Sequence, residues 1–171
     1  MNNKITTLIT EQEINAKIRE AGNYISRKYS GNPLLVVGIL KGCFMFMAEL
    51  AKNITVPCEF GFMSAESYCG TESTGSVNIT LDLKQDISEY HVIIAEDITD
   101  TGRTLKNIKK ILEERSPLSL SVITLLDKPE RREVDFVPDM ALFTIPDIFV
   151  VGYGLDYNEY YRNLPYIGKL E

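Results

Sequence analysis

The sequence predicts a single α/β domain built on a mostly parallel, twisted sheet flanked by helices. Short apolar runs, of which 34–40 and 119–126 are the clearest, alternate with amphipathic segments such as 11–29 and 103–115. Continuous apolar and β-branched runs are typical of strands buried on both faces, as in parallel sheets. No repeat, low-complexity stretch or linker interrupts residues 1–171, so one domain is expected over that range.

The elements are assigned in chain order from hydrophobic periodicity and from the signals that start and stop helices. Thr10 and Glu13 form a Thr-x-x-Glu capping box ahead of apolar residues on one helical face, and Gly31-Asn32-Pro33 ends that helix. The predicted order is helix 11–29, strand 34–40, helix 43–52, strands 56–63, 77–83 and 91–95, helix 103–115, strand 119–126 and a short last strand at 148–152.

The segment 64–76 is polar and rich in Ser, Thr and Gly, and it is longer than most connections in a compact domain. Segments of this kind are usually lids, binding loops or disordered stretches. It therefore stands apart from the alternating strands and helices, and a functional loop is one of its possible roles.

Composition and charge exclude several classes of function. The net charge is −6 and no Lys/Arg-rich block is present, which argues against sequence-independent binding of nucleic acid. The longest apolar run, 34–40, is far too short to span a bilayer, and the start of the chain lacks a secretory pattern. Cys43, Cys58 and Cys69 lack metal-ligand spacing, so a reducing cytoplasm is expected. His91 is the single histidine of the chain, so zinc sites that need several histidines are excluded. His91 itself is expected at the surface.

The chemistry is expected at one edge of the sheet. In open α/β sheets, ligands bind outside the carboxyl ends of the strands. Four segments follow predicted strands there: Leu40-Lys41-Gly42, Glu96-Asp97, Asp127-Lys128 and Gly152-Tyr153.

Residues 96–104, with the sequence EDITDTGRT, join acidic side chains to the start of a helix. The adjacent carboxylates of Glu96 and Asp97 can hold ribose hydroxyls or a hydrated Mg²⁺. Residues 101–104 offer hydroxyls and backbone N–H groups at a helix N-terminus, where a phosphate dianion can bind, and Gly102 permits a sharp turn. Simple helix capping is the alternative, but a cap needs one such residue, whereas three carboxylates crowd these nine positions.

The stretch 96–104, preceded by an apolar strand, resembles the phosphoribosyl-pyrophosphate signature of type I phosphoribosyltransferases. Further matches occur at LKG (40–42), SYCGTESTG (67–75), LLDKPERR (125–132) and FVVGYGLDYNEYYRNLP (149–165). The resemblance covers nearly the whole chain and is closest to the short bacterial hypoxanthine–guanine enzymes. It implies the type I phosphoribosyltransferase fold, with a small hood and a flexible lid loop at about 64–76, a Mg²⁺ cofactor, and assembly into a homo-oligomer, either a dimer or a tetramer.

The resemblance implies roles around the ribose, its phosphate and the metal. Asp100 would be the catalytic base that accepts the proton from purine N7. Mg²⁺ would be held by Glu96, Asp97 and Asp156. The residues implied to bind the ribose 5-phosphate are Glu96, Asp97, Asp100, Thr101, Gly102, Arg103 and Thr104.

Pyrophosphate would be bound by Lys41, Gly42 and Arg162, and the resemblance implies that the Leu40–Lys41 peptide bond can be cis. Ser67 and Tyr68 match a lid that closes over the reacting centre. Without the resemblance, Lys41 would be read as a solvated side chain in an ordinary strand-to-helix turn.

The purine would be recognised by four residues. Lys128 would hydrogen-bond the 6-oxo group, Phe149 would stack on the ring, and the backbones of Val150 and Asp156 would contact the base edge. Asp100 also favours 6-oxopurines, because the adenine-specific enzymes are similar but carry a small apolar residue at that position. Taken alone, Lys128 could be a solvated lysine and Phe149 a core residue.

The implied reaction is purine salvage, in which the 5-phosphoribosyl group moves from phosphoribosyl pyrophosphate to N9 of hypoxanthine or guanine. IMP or GMP and pyrophosphate would be released. The alternatives are a xanthine-preferring relative and a nucleotide-sensing, RNA-binding regulator on the same fold. A phosphatase with Asp97 as nucleophile is disfavoured, because its motif wants aspartates two positions apart and Asp97 and Asp100 are three apart.

Overall fold

The computed structural model describes residues 4–67 and 77–171, which form nine strands, three α-helices and one 3₁₀ turn. In chain order these are β1 (Ile5–Ile9), α1 (Glu11–Lys28), β2 (Leu34–Leu40), α2 (Phe44–Asn53), β3 (Glu59–Ser67), β4 (Val77–Leu81), β5 (His91–Thr99), α3 (Arg103–Glu113), β6 (Ser119–Asp127), the 3₁₀ turn (Pro129–Arg131), β7 (Met140–Thr144), β8 (Val150–Val151) and β9 (Ile167–Leu170).

The main sheet has six strands in the order β4-β3-β2-β5-β6-β7. All neighbouring pairs are parallel except β3 and β4, which are antiparallel. The predicted α/β fold with a mostly parallel sheet is therefore confirmed. Because β2, β5 and β6 run in the same direction, their carboxyl ends meet at one edge of the sheet, and the loops that follow them lie together.

The sheet is covered on both faces, which explains why its central strands are continuously apolar. Leu34 and Val36 of β2 point into a core shared with α1 and α2. Leu35 and Val37, which alternate with them, point into a second core shared with α3. The alternation of side chains along a strand thus distributes one apolar run between two layers.

Helix α1 begins as the sequence predicts. The Thr10 backbone N–H donates to Glu13 Oε2 at 2.8 Å, and the Glu13 N–H donates to Thr10 Oγ1 at 3.3 Å, which completes the capping box. The ends of the three helices differ from the predicted ends by a residue or two, as helix ends commonly do. No helix in the described ranges is long and apolar enough to cross a membrane.

A second sheet of three strands, in the order β1-β9-β8, was not predicted. Its strands pair antiparallel, with Ile5 opposite Leu170 and Val150 opposite Lys169. The prediction that the strand at 148–152 is the last one is wrong, because β9 follows it. Strands β1 and β9 are short and partly exposed, so they lack the apolar runs that reveal the main sheet. The edge strand β7 was also missed: its sequence MALFT is apolar but only five residues long, and it is partly exposed.

Two main-sheet strands continue four residues beyond their predicted ends. Strand β3 continues to Ser67, so residues 64–67 pair with β4 and do not belong to a loop. Strand β5 continues to Thr99, because its ladder with β6 extends to the pair Thr99 and Asp127. His91, which opens β5, is half-buried and lies 2.8 Å from Ser119 Oγ through Nδ1, so it is less exposed than a free surface histidine but is not part of the core.

Candidate active site

Three backbone segments converge where β2 and β5 meet the second sheet. The Leu40–Lys41 peptide bond is cis, in agreement with the expectation from the family. A Cβ at Gly42 would lie 1.7 Å from Asp97 Oδ2, and a Cβ at Gly154 would lie 1.9 Å from the Gly42 carbonyl oxygen. Only glycine at both positions permits this approach, so the loop after β2 is wedged between the acidic strand and the turn at Gly154.

Glu96 and Asp97 form a buried acidic pair within β5. Asp97 is 7% exposed, and its Oδ1 accepts a hydrogen bond from the Ile98 N–H at 2.8 Å. Glu96 Oε2 is buried and has no hydrogen-bond partner among the described residues. Burial and the Asp97 carboxylate raise the pKa of Glu96 well above its usual range, and burial also raises that of Asp97. A buried acceptor without a donor is costly, so this oxygen is suited to receive a ligand.

Asp156, the third expected metal ligand, lies on the other side of the site and contacts Arg162 Nη2 at 2.9 Å. Within the described ranges, no three acidic, His or Cys side chains are grouped as a ready-made metal cluster. A pair of carboxylates still fits Mg²⁺, which usually takes one or two carboxylates and completes its shell with water and substrate phosphates.

Residues 99–102 connect β5 to α3, and three donors from the chain that follows β6 bind the first three carbonyl groups of this turn. The Lys128 N–H donates to the Thr99 carbonyl at 2.9 Å, and the Glu133 N–H donates to that of Thr101 at 3.0 Å. The Arg132 guanidinium donates to the Asp100 carbonyl between them. We call residues 127–133 the cradle, because they fix three successive carbonyl groups of this turn.

The start of α3 is open to a ligand. Its N-cap is Gly102, with φ of +80° and no side chain to cap the helix. Of the two residues considered as caps from the sequence, Thr101 accepts one long hydrogen bond, from the Arg103 N–H to its Oγ1 at 3.4 Å. Asp100 accepts none from this helix start in the described residues. The first N–H groups of a helix have no partner within it, and they carry a partial positive charge suited to phosphate. Arg103 begins the helix and pairs with Glu133 of the cradle at 2.8 Å, and Thr104 follows it.

A cavity of about 360 Å³ opens beside this turn and gathers the predicted purine-binding residues. Its lining includes Asp100, Lys128, Phe149, Val150 and Asp156. The volume suits a small planar ligand. The remaining lining residues were given no role from the sequence: Ile98, Arg131, Asp147, Ile148 and Leu155.

Burial decides between the alternatives for two of these residues. Lys128 is only 7% exposed, so its interpretation as a solvated surface lysine is wrong. Phe149 is 53% exposed and packs edge-on against Tyr157, with ring centroids 5.8 Å apart, so it is not a core residue. A buried cation and an exposed aromatic ring in one cavity are the reverse of ordinary packing, and they suit recognition of a flat polar base.

The cations expected to bind pyrophosphate meet at one carboxylate. Lys41 Nζ lies 3.1 Å from Glu159 Oε2, and Arg162 Nη2 lies 3.4 Å from Glu159 Oε1. Arg162 Nη1 also donates to the Gly154 carbonyl at 2.8 Å, and its Nε is buried without a partner among the described residues. Glu159 thus connects Arg162, which is bonded to the turn after β8, to Lys41 in the loop after β2.

Two expected lid residues have different outcomes. Ser67 ends β3, and Tyr68 lies outside the described residues. Two arginines of the cradle were not predicted as site residues: Arg132 forms a buried ion pair with Asp127, and Arg131 contacts Asp100. The signal was present as two consecutive arginines close after the strand-end residue Lys128, but no local rule gives their partners.

Comparison with known proteins identifies the family. The sequence model of the phosphoribosyl transferase domain matches residues 5–158. The chain is 49% identical to a hypoxanthine phosphoribosyltransferase of Salmonella typhimurium over 99% of this chain and 97% of that one. It is 50% identical to a hypoxanthine-guanine phosphoribosyltransferase of Streptococcus pneumoniae over 96% and 92%.

Solved structures agree with the sequence comparison. The crystal structure of a hypoxanthine phosphoribosyltransferase from Staphylococcus aureus superposes with a TM-score of 0.94 at 50% identity, covering 97% of this chain and 91% of that one. A hypoxanthine-guanine phosphoribosyltransferase from Bacillus anthracis gives 0.93 at 42% identity over 98% and 100%. With relatives this similar over nearly their full length, the chain belongs to the hypoxanthine–guanine branch of the phosphoribosyltransferase family.

Proposed function

We propose that this protein is a purine-salvage enzyme that transfers the 5-phosphoribosyl group of phosphoribosyl pyrophosphate to N9 of hypoxanthine or guanine. The products are IMP or GMP and pyrophosphate. The observation that carries the proposal is the cavity in which Asp100, Lys128 and Phe149 lie together beside the open start of α3. The names of the relatives support the same reaction.

The purine lies in that cavity and is held by three kinds of contact. Phe149 stacks on the ring, and Lys128 donates a hydrogen bond to the 6-oxo group. A 6-amino group could not accept that bond and would leave the buried ammonium without a partner, which selects against adenine. The backbones of Val150 and Asp156 contact the base edge.

Asp100 is the general base. It accepts the proton from N7 while the N9 lone pair forms the bond to the anomeric carbon and the bond from that carbon to pyrophosphate breaks. A positioned base of this kind contributes roughly 10²–10⁴-fold in rate. Asp100 lies at the junction of the cavity and the turn into α3, where base and sugar must meet.

The sugar phosphate and the leaving group bind on either side of Asp100. The 5-phosphate binds residues 101–104 at the start of α3, and pyrophosphate binds Lys41, Gly42 and Arg162. Glu159 leaves those two cations when pyrophosphate arrives, because a diphosphate attracts them more strongly than one exposed carboxylate. Ser67 and Tyr68 act as the lid that keeps water from the reacting carbon.

Glu96, Asp97 and Asp156 are the residues that would hold Mg²⁺. When bound, Mg²⁺ supplies positive charge to the ribose hydroxyls and to the departing pyrophosphate. The partnerless Glu96 Oε2 supports this assignment, because its burial without a donor suits an oxygen that receives a ligand. We infer a homo-oligomeric protein of the cytoplasm, and the free thiols of Cys43 and Cys58 fit a reducing compartment.

A coupled assay with phosphoribosyl pyrophosphate and hypoxanthine, guanine, xanthine or adenine tests the proposal. We expect Mg²⁺-dependent turnover of hypoxanthine or guanine and none of adenine, with kcat lowered roughly 10²–10⁴-fold in Asp100→Ala. Asp82→Asn, a carboxylate of an ion pair outside the cavity, is the matched control and keeps full activity.

The outcomes separate the alternatives. Faster turnover of xanthine than of both other 6-oxopurines would favour the xanthine-preferring reading. Salt-sensitive RNA binding without release of pyrophosphate would favour the regulator. Unchanged kcat in Asp100→Ala would remove Asp100 as the base while leaving the reaction class intact.

A further inference from the structure

Arg131 stands in the purine cavity between two carboxylates. Its Nε lies 3.1 Å from Asp100 Oδ1 and 3.8 Å from Asp147 Oδ1. All three side chains line the cavity, where they meet Lys128 and Phe149. Arg131 therefore links the turn after β5 to the loop before β8 within the lining of the cavity proposed for the base.

The two oxygens of Asp100 have different surroundings. Arg131 Nε donates to Oδ1. Among the described residues, no hydrogen bond or ion pair reaches Oδ2. The carboxylate thus has one oxygen fixed by a cation and a second oxygen with its lone pairs available to a donor in the cavity.

Arg131 is itself held at its backbone. It ends the 3₁₀ turn that begins at Pro129, and its N–H donates to the Lys128 carbonyl at 3.0 Å. Lys128 is in turn bonded through its own N–H to the Thr99 carbonyl, one residue before Asp100. The backbone that carries the guanidinium is therefore tied to the strand end that carries the base, so the distance between the two side chains is well defined.

We propose that Arg131 is the positioning residue for Asp100: its guanidinium fixes Oδ1, so that Oδ2 is the oxygen that accepts the N7 proton. This inference rests on the proposed function, in which Asp100 is the base. Arg131 does not touch the reacting atoms and acts through the carboxylate. Asp147 Oδ1 lies 3.8 Å from the same Nε and adds a second negative charge that limits movement of the guanidinium away from Asp100.

The physical need follows from the exposure of Asp100. Its side chain is 41% exposed, so without Arg131 its carboxylate would sample several rotamers and accept hydrogen bonds from water. Proton transfer requires the acceptor within hydrogen-bond reach of N7, and a displacement of about 1 Å can cost roughly 100-fold in rate. One fixed oxygen removes most of that freedom.

The test compares Arg131→Gln and Arg131→Lys in the wild-type and Asp100→Ala backgrounds, with hypoxanthine and phosphoribosyl pyrophosphate as substrates. We expect Arg131→Gln to lower kcat about 10-fold and to change KM for phosphoribosyl pyrophosphate less than about twofold. Arg131→Lys restores part of kcat, because an ammonium can pair with Oδ1 but lacks the rigid planar fork of arginine. In Asp100→Ala, Arg131→Gln has no further effect on kcat.

Arg115→Gln is the matched control, because Arg115 also pairs with a half-exposed carboxylate but lies outside the cavity. Its Nη1 and Nη2 donate to Asp82 Oδ1 and Oδ2 at 2.9 and 2.8 Å. The kcat of this variant stays at the wild-type value. An unchanged kcat in Arg131→Gln, an equal loss in both backgrounds, or no rescue by lysine overturns the inference alone. An Asp100→Ala variant as active as wild type overturns both the base assignment and the inference.

Discussion

The sugar-phosphate side of the site and its purine side are built in different ways. The first consists of strand ends of a parallel sheet, and hydrogen bonds between the cradle and the turn after β5 fix it. The second takes Lys128 from the cradle, and its remaining part consists of Phe149, Val150 and the tight turns after β8, which also carry the pyrophosphate residue Arg162. Of the nine described residues with positive φ, six lie between residues 152 and 161: Gly152, Tyr153, Gly154, Asn158, Glu159 and Tyr161.

The two sides are therefore held rigid by different interactions. On the sugar-phosphate side, regular structure places the groups, and the cradle needs only local pairs to hold them. On the purine side, four residues other than glycine adopt left-handed backbone conformations, each of which costs about 1–3 kcal/mol. Contacts such as that of Arg162 with the Gly154 carbonyl must offset this cost, so the purine side depends more on its neighbours.

The largest expected effect comes from breaking the cradle. Arg132→Met removes the guanidinium from its pair with Asp127, and both side chains are largely buried. We expect the free energy of unfolding to fall by about 3 kcal/mol, because Asp127 is left as an uncompensated buried charge. KM for phosphoribosyl pyrophosphate should rise as the Asp100 carbonyl loses its donor. Urea denaturation and steady-state kinetics measure the two effects, and a loss below about 1 kcal/mol would mean that the cradle is dispensable.

A smaller effect is expected from Gly154→Ala on the purine side. The new Cβ would meet the Gly42 carbonyl oxygen at 1.9 Å, and φ is +102°. Gly31→Ala is the matched control, because φ is +76° there and nothing lies within 4 Å of the added Cβ. We expect Gly154→Ala to cost about 2 kcal/mol of stability and most of the activity, and Gly31→Ala to cost about 1 kcal/mol and no activity. Equal losses of stability in the two variants would show that backbone strain, and not the contact with the Gly42 carbonyl, accounts for the effect.

The smallest expected change has the opposite sign. Glu96→Gln removes the charge of a carboxyl that burial and Asp97 disfavour, so the ligand-free protein should gain about 0.5–2 kcal/mol at neutral pH. Because folding raises the pKa of Glu96, its carboxyl destabilises the fold at any pH above the pKa that it has in the unfolded chain. The cost grows with pH up to the raised pKa, so the gain in Glu96→Gln should shrink as the pH falls. Mg²⁺-dependent turnover should decline in the same variant. Thermal unfolding at two pH values checks the sign, and a less stable variant at neutral pH would contradict it.

The same contrast explains how much the sequence could predict. The strands β2, β5 and β6 are buried on both faces, so their apolar runs identify them, and the residues that follow them are expected at one sheet edge. The strands β1 and β9 are too short and too exposed to carry such a signal, and their pairing joins residues far apart in the chain. For Phe149 and Lys128, composition alone favoured the wrong environment, and only the resemblance of the surrounding segments indicated their place in a site.

Arg131 and Arg132 mark the limit of local reasoning. Both follow Lys128 closely, yet one contacts a side chain in the cavity and the other is buried beneath the neighbouring turn. Which way each guanidinium faces depends on the 3₁₀ turn at Pro129 and on the position of β5 beside β6. Sequence periodicity carries no information on either, because both are set by packing between elements.

The pairing of β1 with β9 has a consequence for biosynthesis. During translation β1 and the strands of the parallel sheet emerge from the ribosome first, and β9 emerges after every residue assigned to the purine. Strand β8 pairs with β9, and the Phe149 carbonyl accepts its hydrogen bond from Leu170. A nascent chain can therefore fold the part that binds the ribose 5-phosphate during translation, but the part that receives the base is completed only after β9 has left the exit tunnel.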